Sequence, residues 1–225
     1  MKDFEVINLG RMSYEKALAI QEARFEEIID CKRKGKPHSL NVLYLVEHDP
    51  VYTLGKSGNA AHLINNPQVV GASFYRTNRG GDITYHGPGQ IVGYPVFDLE
   101  QFGMGMGRYI HTMEEAIINV LRTYNLEGER LTGASGVWLD VGSKSVRKIC
   151  AIGVKASRFV TMHGFAFNVN TDLSYFNHII PCGIPDKGVT SLACELGREV
   201  DFEEAINRVT AAFRELFVVA HEARP

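Results

Sequence analysis

The chain contains no run approaching the roughly 20 consecutive apolar residues that a membrane-spanning helix requires. Its first residues, Met1-Lys-Asp-Phe-Glu5, lack the apolar core of a secretory signal. These two absences lead to the expectation of a soluble, cytoplasmic protein that does not engage membranes. Neither sign of charge is in excess: 24 Lys and Arg stand against 26 Asp and Glu, a net of −2. No global field therefore draws the chain to nucleic acid. Four cysteines, at positions 31, 150, 182 and 194, include no pair with C-x-x-C spacing, which argues against a zinc site and for reduced thiols. No G-x-S-x-G, H-E-x-x-H or EF-hand pattern occurs, and no internal repeat or low-complexity tail. Gly55-Lys-Ser57 looks like the end of a phosphate-binding loop, but Pro50 stands where that loop needs glycine. Gly103-Met-Gly-Met-Gly107 lacks dinucleotide-binding spacing and reads as a flexible connection.

What is present is enough apolar residue, 45% of 225, for a sizeable core in a single domain spanning residues 1–225. Three segments have helical spacing. After Ser13, a candidate N-cap, residues 14–34 place Tyr14, Ala17, Leu18, Phe25, Ile28 and Ile29 on one face, interrupted by Gln21. Residues 108–125 repeat the pattern more cleanly. Residues 202–218 follow Asp201, with Glu204 three positions on as in a capping box. Strands are expected at Val42–Val46, Val51–Leu54, Val69–Arg76, Ile91–Phe97, Val137–Leu139, Ile149–Val154, Phe159–Met162 and Phe165–Val169. Short connections between several of them favour antiparallel pairing. The fold class is α+β: one mixed, mostly antiparallel sheet covered by helices.

Two segments carry the chemistry. Arg79-Gly-Gly-Asp-Ile-Thr-Tyr-His-Gly-Pro-Gly-Gln90 packs four glycines, a proline, an arginine and a histidine between apolar stretches. It reads as a binding loop that contributes little to the core. Pro181-Cys-Gly-Ile-Pro185 puts a thiol in a bend. Cys150 and Cys194 lie in apolar patterns and read as buried small hydrophobes, and Cys31 as incidental. A free thiol, with a pKa of about 8.5, is only slightly ionised at neutral pH. Bringing it to about 7 costs about 2 kcal/mol, and an ammonium about 4 Å away supplies about 4 kcal/mol at an effective dielectric of about 20. His86, His163, His178 and Lys148 are the candidate helpers, and residue chemistry alone does not choose among them. Basic clusters at Lys32-Arg33-Lys34 with Lys36, and at Lys144, Arg147 and Lys148, are either solvated surface or a face for an acidic protein partner.

The glycine-rich run resembles the R-G-G-x-x-T-Y-H-G-P-G-Q signature of the octanoyl-[acyl carrier protein]:protein octanoyltransferases of lipoate biosynthesis. Five further segments resemble that family's motifs in the same order: His48-Asp-Pro-Val-Tyr-Thr-Leu-Gly55, Ser135-Gly-Val-Trp138, Lys148-Ile-Cys-Ala-Ile-Gly-Val154, His163-Gly-Phe-Ala-Phe-Asn168 and Pro181-Cys-Gly-Ile184. Together they span roughly residues 40–195. Cys150 departs from the family's usual alanine and adds a second thiol, and the stretch Asp140–Arg147 is variable.

The resemblance implies the fold of the biotin/lipoate protein ligase catalytic domain. It implies Cys182 as the acyl-accepting nucleophile and Lys148 as the residue that tunes the thiol and moves protons. Arg79, Gly80, Gly81, Asp82, Ile83, Thr84, Tyr85 and His86 would line the acyl and substrate site, with Ala151, Ile152, Gly153, Gly164, Phe165 and Ala166 as two further walls. Apolar strands beside the glycine-rich run would complete the pocket. No cofactor or metal is implied, and the expected state is a monomer. The implied donor is octanoyl-acyl carrier protein. The implied acceptors are lipoyl domains of oxo-acid dehydrogenases and the glycine-cleavage carrier protein. Two alternatives remain: an ATP-dependent lipoate or biotin ligase on the same fold, and a non-catalytic module that binds acyl carrier or lipoyl domains.

Overall fold

A computed structural model describes residues 3–180 and 187–218. In chain order the elements are β1 (Glu5–Met12), α1 (Tyr14–Arg33), β2 (Val42–His48), β3 (Val51–Leu54), β4 (Ser73–Arg76), β5 (Ile83–His86), β6 (Gln90–Val96), α2 (Leu99–Phe102), α3 (Met106–Arg122), β7 (Glu129–Leu131), β8 (Ala134–Leu139), β9 (Arg147–Ser157), β10 (Val160–Asn168), β11 (Gly188–Val189), α4 (Leu192–Leu196) and α5 (Phe202–Phe217). The main sheet runs β1-β2-β6-β10-β9-β8-β7, with β11 added beside β9. Its β1–β2 and β9–β11 pairs are parallel and the others antiparallel. A second sheet, β4-β3-β5, stands apart from it.

Apolar patterning decides how these layers stack. Helices α3 and α5 bury Tyr109, Met113, Ile117, Leu121, Val209, Phe213 and Phe217 against Leu43, Leu45, Ile91, Phe165, Phe167, Ile149 and Cys150 on one face of the main sheet. On the opposite face α1 lays Ala17, Phe25, Ile28 and Ile29 over Val42, Tyr44, Val92, Tyr94, Met162 and Ala166. The start of α5 is capped as the sequence indicates, with the Asp201 carboxylate accepting the Glu204 amide at 3.0 Å. Ser13 occupies the N-cap position of α1, but its hydroxyl makes no capping bond.

Several expectations change. Val69 and Val70 belong to a 3₁₀ turn, Pro67–Val70, and Val69 is 81% exposed; β4 begins only at Ser73. The left-handed Gly71 ends that turn and delays the strand. The two strands expected around His163-Gly164 are one, β10, because His163 takes a left-handed φ of 58° without leaving the β9 ladder. The glycine-rich run is not wholly loop. Its Ile83–His86 segment pairs antiparallel with β3, and Ile83 and Tyr85 join Tyr52 and Leu54 in a small core of their own. β-Branched and aromatic residues outweigh the flanking glycines there. Strands β1, β7 and β11 carry no clear alternation and were not anticipated.

Gln21, the polar interruption of the α1 face, is fully buried. Its Oε1 accepts the His163 amide at 3.0 Å, which ties α1 to the left-handed residue of β10. In Gln21→Leu that buried N–H loses its partner. A loss of about 1–3 kcal/mol is expected in equilibrium denaturant unfolding. A loss below about 0.5 kcal/mol would show that the amide is satisfied another way.

Candidate active site

A cavity of about 460 Å³ is lined by residues of both sheets and of α1 and α3. That volume is within the range of small-ligand sites. The Arg79–Asp82 turn and Thr84 and His86 of β5 form one wall. Lys148 and Ala151–Val154 of β9 and His163–Ala166 of β10 form another. Val92 and Tyr94 of β6, Tyr14 of α1, Ile110 of α3 and the Gly133–Ser135 turn complete it. Arg79, Gly80, Gly81, Asp82, Thr84, His86, Lys148, Ala151, Ile152, Gly153, Gly164, Phe165 and Ala166 are thus brought together. Ile83 and Tyr85 are not in the lining. Strand alternation turns them into the opposite cluster, where Tyr85 stacks on Tyr175 at 4.5 Å. Cys182 lies outside the described residues.

Lys148 reaches the cavity through an irregularity of β9. Val137 pairs with Cys150, but the next residue, Trp138, pairs with Lys148, so β9 carries one extra residue, Ile149, opposite β8. This is a β-bulge, and it breaks the alternation of sides. Ile149 and Cys150 both enter the α3–α5 core, while Lys148 and Ala151 share the cavity side. Lys148 is 8% exposed, and its Nζ lies 4.5 Å from the centre of the Trp138 ring. That ring face attracts a cation, by about 2 kcal/mol when shielded from water. On its other side β9 pairs with β11, Val189 opposite Lys148.

The glycine-rich turn docks on β9 backbone to backbone. The Gly80 amide donates to the Val154 carbonyl at 2.9 Å, and a Cβ on Gly153 would come within 2.8 Å of the Gly80 oxygen. A Cβ on Gly55 would lie 2.2 Å from the Gly81 oxygen. Glycine is required at both positions by this approach. The Arg79 guanidinium donates to the Thr53 carbonyl at 2.6 Å and to its hydroxyl oxygen at 2.9 Å, fixing the turn to β3.

A buried polar chain continues from there. Thr53 Oγ1 lies 3.3 Å from His86 Nε2, and His86 Nδ1 lies 2.8 Å from Gln90 Oε1. Because the guanidinium donates to the Thr53 oxygen, the hydroxyl proton is directed to Nε2, and Nδ1–H donates to Gln90. Gln90 Nε2 donates to Asn168 Oδ1 at 2.8 Å, and Asn168 Nδ2 to the Thr190 carbonyl at 3.0 Å. The Thr190 amide in turn donates to the Lys148 carbonyl at 2.9 Å. The chain therefore joins the arginine turn to the strand that bears the lysine.

The candidate histidine helpers behave differently from an ammonium. Burial, with the neighbouring His48 second, lowers the His86 pKa to about 3. Burial, with the Arg79 guanidinium second, lowers that of His163 to about 3. Both are neutral at pH 7, so neither supplies a positive charge to a thiolate. His178 stands on the surface side, its Nδ1 2.8 Å from the Asn65 amide nitrogen. Burial also pushes Tyr14, another wall residue, up to about 12, partly offset by Arg79. Cys150 is fully buried and its thiol is pushed well above the ordinary range, mainly by burial, so it is inert rather than a second reactive thiol. Cys194, expected to be buried, is exposed on the short α4. Of the basic clusters, Lys32 pairs with Asp98 and Glu100, Lys34 with Asp30, and Arg147 with Asp140 and Glu195, while Arg33, Lys36 and Lys144 are exposed. Val92 and Tyr94 come from the apolar strand beside the glycine-rich run, as expected, whereas Tyr14, Ile110 and the Gly133–Ser135 turn were not anticipated as wall residues. Tyr14 has a signal only as a helix-face residue, while Ser135 opens one of the recognised motifs.

The architecture has solved counterparts. A bipartite lipoate protein ligase from Thermoplasma acidophilum superposes with a TM-score of 0.71 at 19% identity, covering 96% of this chain and 84% of that one. A biotin protein ligase from Aquifex aeolicus does so with a TM-score of 0.53 at 13% identity, over 99% and 73%. The fold is therefore that of the lipoate and biotin protein ligase catalytic domains. The sequence profile of the lipoyl protein ligase A/B catalytic domain matches residues 13–214, and the chain belongs to that family. It is 57% identical over 221 residues to an octanoyltransferase of Parabacteroides distasonis, covering 96% of this chain and all of that protein. To an octanoyltransferase of Christiangramia forsetii it is 51% identical over 225 residues, 96% of each chain.

Histidines held neutral in the fold give stability a definite sign with pH. The folded values of His48, about 4, and of His86 and His163, about 3, lie below the unfolded value of about 6.5. The unfolded chain therefore binds protons that the folded chain does not. Stability is expected to fall as pH drops from about 6.5 toward 4, by up to about 1.4 kcal/mol per pH unit for each histidine. His86→Gln should flatten that slope by about one histidine's share in denaturant unfolding at pH 7, 6 and 5. An unchanged slope would show that His86 is not held neutral.

Proposed function

We propose that this chain transfers an octanoyl group from octanoyl-acyl carrier protein to a lysine of lipoyl domains, by way of an acyl-enzyme on Cys182. The chain is an acyltransferase of lipoate biosynthesis. The observation that carries the reading is Lys148 turned by the bulge into a largely apolar cavity whose other wall is the Arg79–His86 motif. Two relatives named octanoyltransferase, more than half identical over nearly the whole chain, support the substrate. The proposed acceptors are lipoyl domains of oxo-acid dehydrogenases and the glycine-cleavage carrier protein. The proposed setting is a monomer in the cytoplasm. Among the described residues no helix is long and apolar enough to cross a membrane.

In the first step the Cys182 thiolate adds to the thioester carbonyl of the donor. Backbone N–H groups near Ile152–Gly153 or Cys182–Gly183 are proposed to hold the oxyanion. Collapse breaks the carbonyl–sulfur bond to the carrier, whose thiolate takes a proton from Lys148, and the octanoyl group stays on Cys182. In the second step the acceptor amine adds to this new thioester. The carbon–nitrogen bond forms, the Cys182 thiolate leaves, and Lys148 takes a proton from the attacking nitrogen. Exchange of one thioester for another is nearly balanced, and amide formation drives the second step, so no nucleotide is consumed. The apolar walls, Val92, Ile110, Ile152, Val154 and Phe165, suit the alkyl chain and keep water from the intermediate.

Incubation with octanoyl-acyl carrier protein should add one octanoyl mass to the intact protein, and Cys182→Ser should show no adduct. Activity that requires magnesium-ATP and survives Cys182→Ala would instead establish a ligase. Lys148→Ala is expected to slow transfer by about 10²–10⁴-fold while unfolding cooperatively. Wild-type turnover in that variant would remove the lysine from the mechanism.

A further inference from the structure

A row of small side chains gives the cavity a direction. Ala151 on β9, Ala166 on β10 and Val92 on β6 stand opposite one another in register, and all three line the cavity. They floor a path across three adjacent strands. Lys148 adjoins the β9 end of the row, sharing a smaller hollow with Ala151 and Ala166. Along β9 itself the Arg79 turn stands in the way: the Gly80 amide is bonded to the Val154 carbonyl, and the Gly80 oxygen leaves no room for a Cβ on Gly153.

Tyr14 stands at the far end of that path. Its ring lies 5.5 Å from the ring of His48, on β2, the strand beyond β6. It lines the cavity and is only 3% exposed, yet its hydroxyl makes no hydrogen bond among the described residues. Nor is that oxygen sealed in: among the described residues the one side-chain polar atom both unpartnered and cut off from solvent is Tyr124 Oη. The surface that the Tyr14 oxygen keeps therefore opens into the cavity. The neighbouring polar groups are engaged, with Tyr94 Oη 2.7 Å from His48 Nε2 and both ring nitrogens of His86 bonded. Neighbouring strands lie about 4.8 Å apart, which puts β6 about 10 Å from β9. The seven carbon–carbon bonds of an extended octanoyl group reach about 9 Å. With its carbonyl over β9 beside Lys148, its methyl comes to Val92, just short of Tyr14. Two more methylenes add about 2.5 Å and press the methyl against the phenol oxygen. A buried hydroxyl stripped of water without a new partner is costly.

We propose that Tyr14 is a specificity-determining residue that ends the acyl site, its hydroxyl a polar stop against alkyl chains longer than octanoyl. This rests on the acyl-transfer reading above, which puts the thioester carbonyl beside Lys148. A chain that ends at Val92 leaves the hydroxyl its water. A longer alkyl chain takes that water and returns nothing. A longer chain that carries its own terminal hydroxyl, such as 10-hydroxydecanoyl, gives the phenol a partner in exchange.

The test is a competition among octanoyl-, decanoyl- and 10-hydroxydecanoyl-acyl carrier protein, read as the acyl masses that arrive on a lipoyl domain. The wild-type chain is expected to prefer octanoyl to decanoyl, and 10-hydroxydecanoyl to decanoyl, each by about tenfold. In Tyr14→Phe, checked for cooperative unfolding, both preferences should shrink toward parity. A merely structural role would slow all three donors alike and leave the ratios unmoved, which overturns the proposal. A wild-type chain that transfers decanoyl as readily as 10-hydroxydecanoyl overturns it too, and that measurement stands even if the variant does not fold. Absence of any transfer from acyl carrier protein by the wild-type chain is a distinct outcome: the acyl-transfer reading then fails, and the polar stop with it.

Discussion

The extra residue that β9 carries opposite β8 decides what the main sheet can do. Without it Lys148 would alternate onto the side of Cys150 and meet Phe and Leu side chains in the α3–α5 core, where an ammonium has no solvation. With it, two apolar residues in succession fill that core, and the lysine emerges beside Trp138 on the side where the second sheet stands off and leaves space. The other devices around the site serve this placement. Glycine at 153 lets the arginine turn rest on β9, and Thr190 closes onto the lysine's own carbonyl.

The polar groups of the cavity fall into two kinds. Arg79, Thr53, His86, Gln90, Asn168 and Thr190 form a hydrogen-bonded chain in which each side-chain group spends its donors and acceptors on the next. A satisfied buried chain of this kind specifies geometry and resists protonation. It suits a frame better than a proton carrier. Lys148, on the opposite wall, is an amine among the lining residues, and the proton traffic proposed for an acyl transfer falls to it.

Much of this was legible from residues, unevenly. The three long helices follow from apolar spacing, and α5 starts where Asp201 and Glu204 place it. The main strands follow from β-branched runs, and the walls of the site from ordered motifs. What escaped depends on partners distant in sequence. Ile83–His86 reads as loop because of the glycines around it, and becomes strand only when β3 lies alongside. Val69 looks like a strand residue and ends up in solvent, because Pro67 and Gly71 impose a turn first. The bulge at Ile149 has no local signature, since Lys-Ile-Cys-Ala reads as an ordinary strand. Strand alternation, visible in principle, would have excluded Ile83 and Tyr85 from the wall.

The cavity is a seam between two separately hydrogen-bonded sheets, and this gives its occupant a structural part. Thr84 and His86 belong to one sheet, Ala151 and Ala166 to the other, and few backbone bonds cross between them near the hollow. An alkyl chain lodged there would act as missing core, gluing the halves through dispersion and water exclusion. On the proposed reading the loaded protein would be a tighter object than the empty one, and handing the fatty acid on would loosen the very walls that sheltered it.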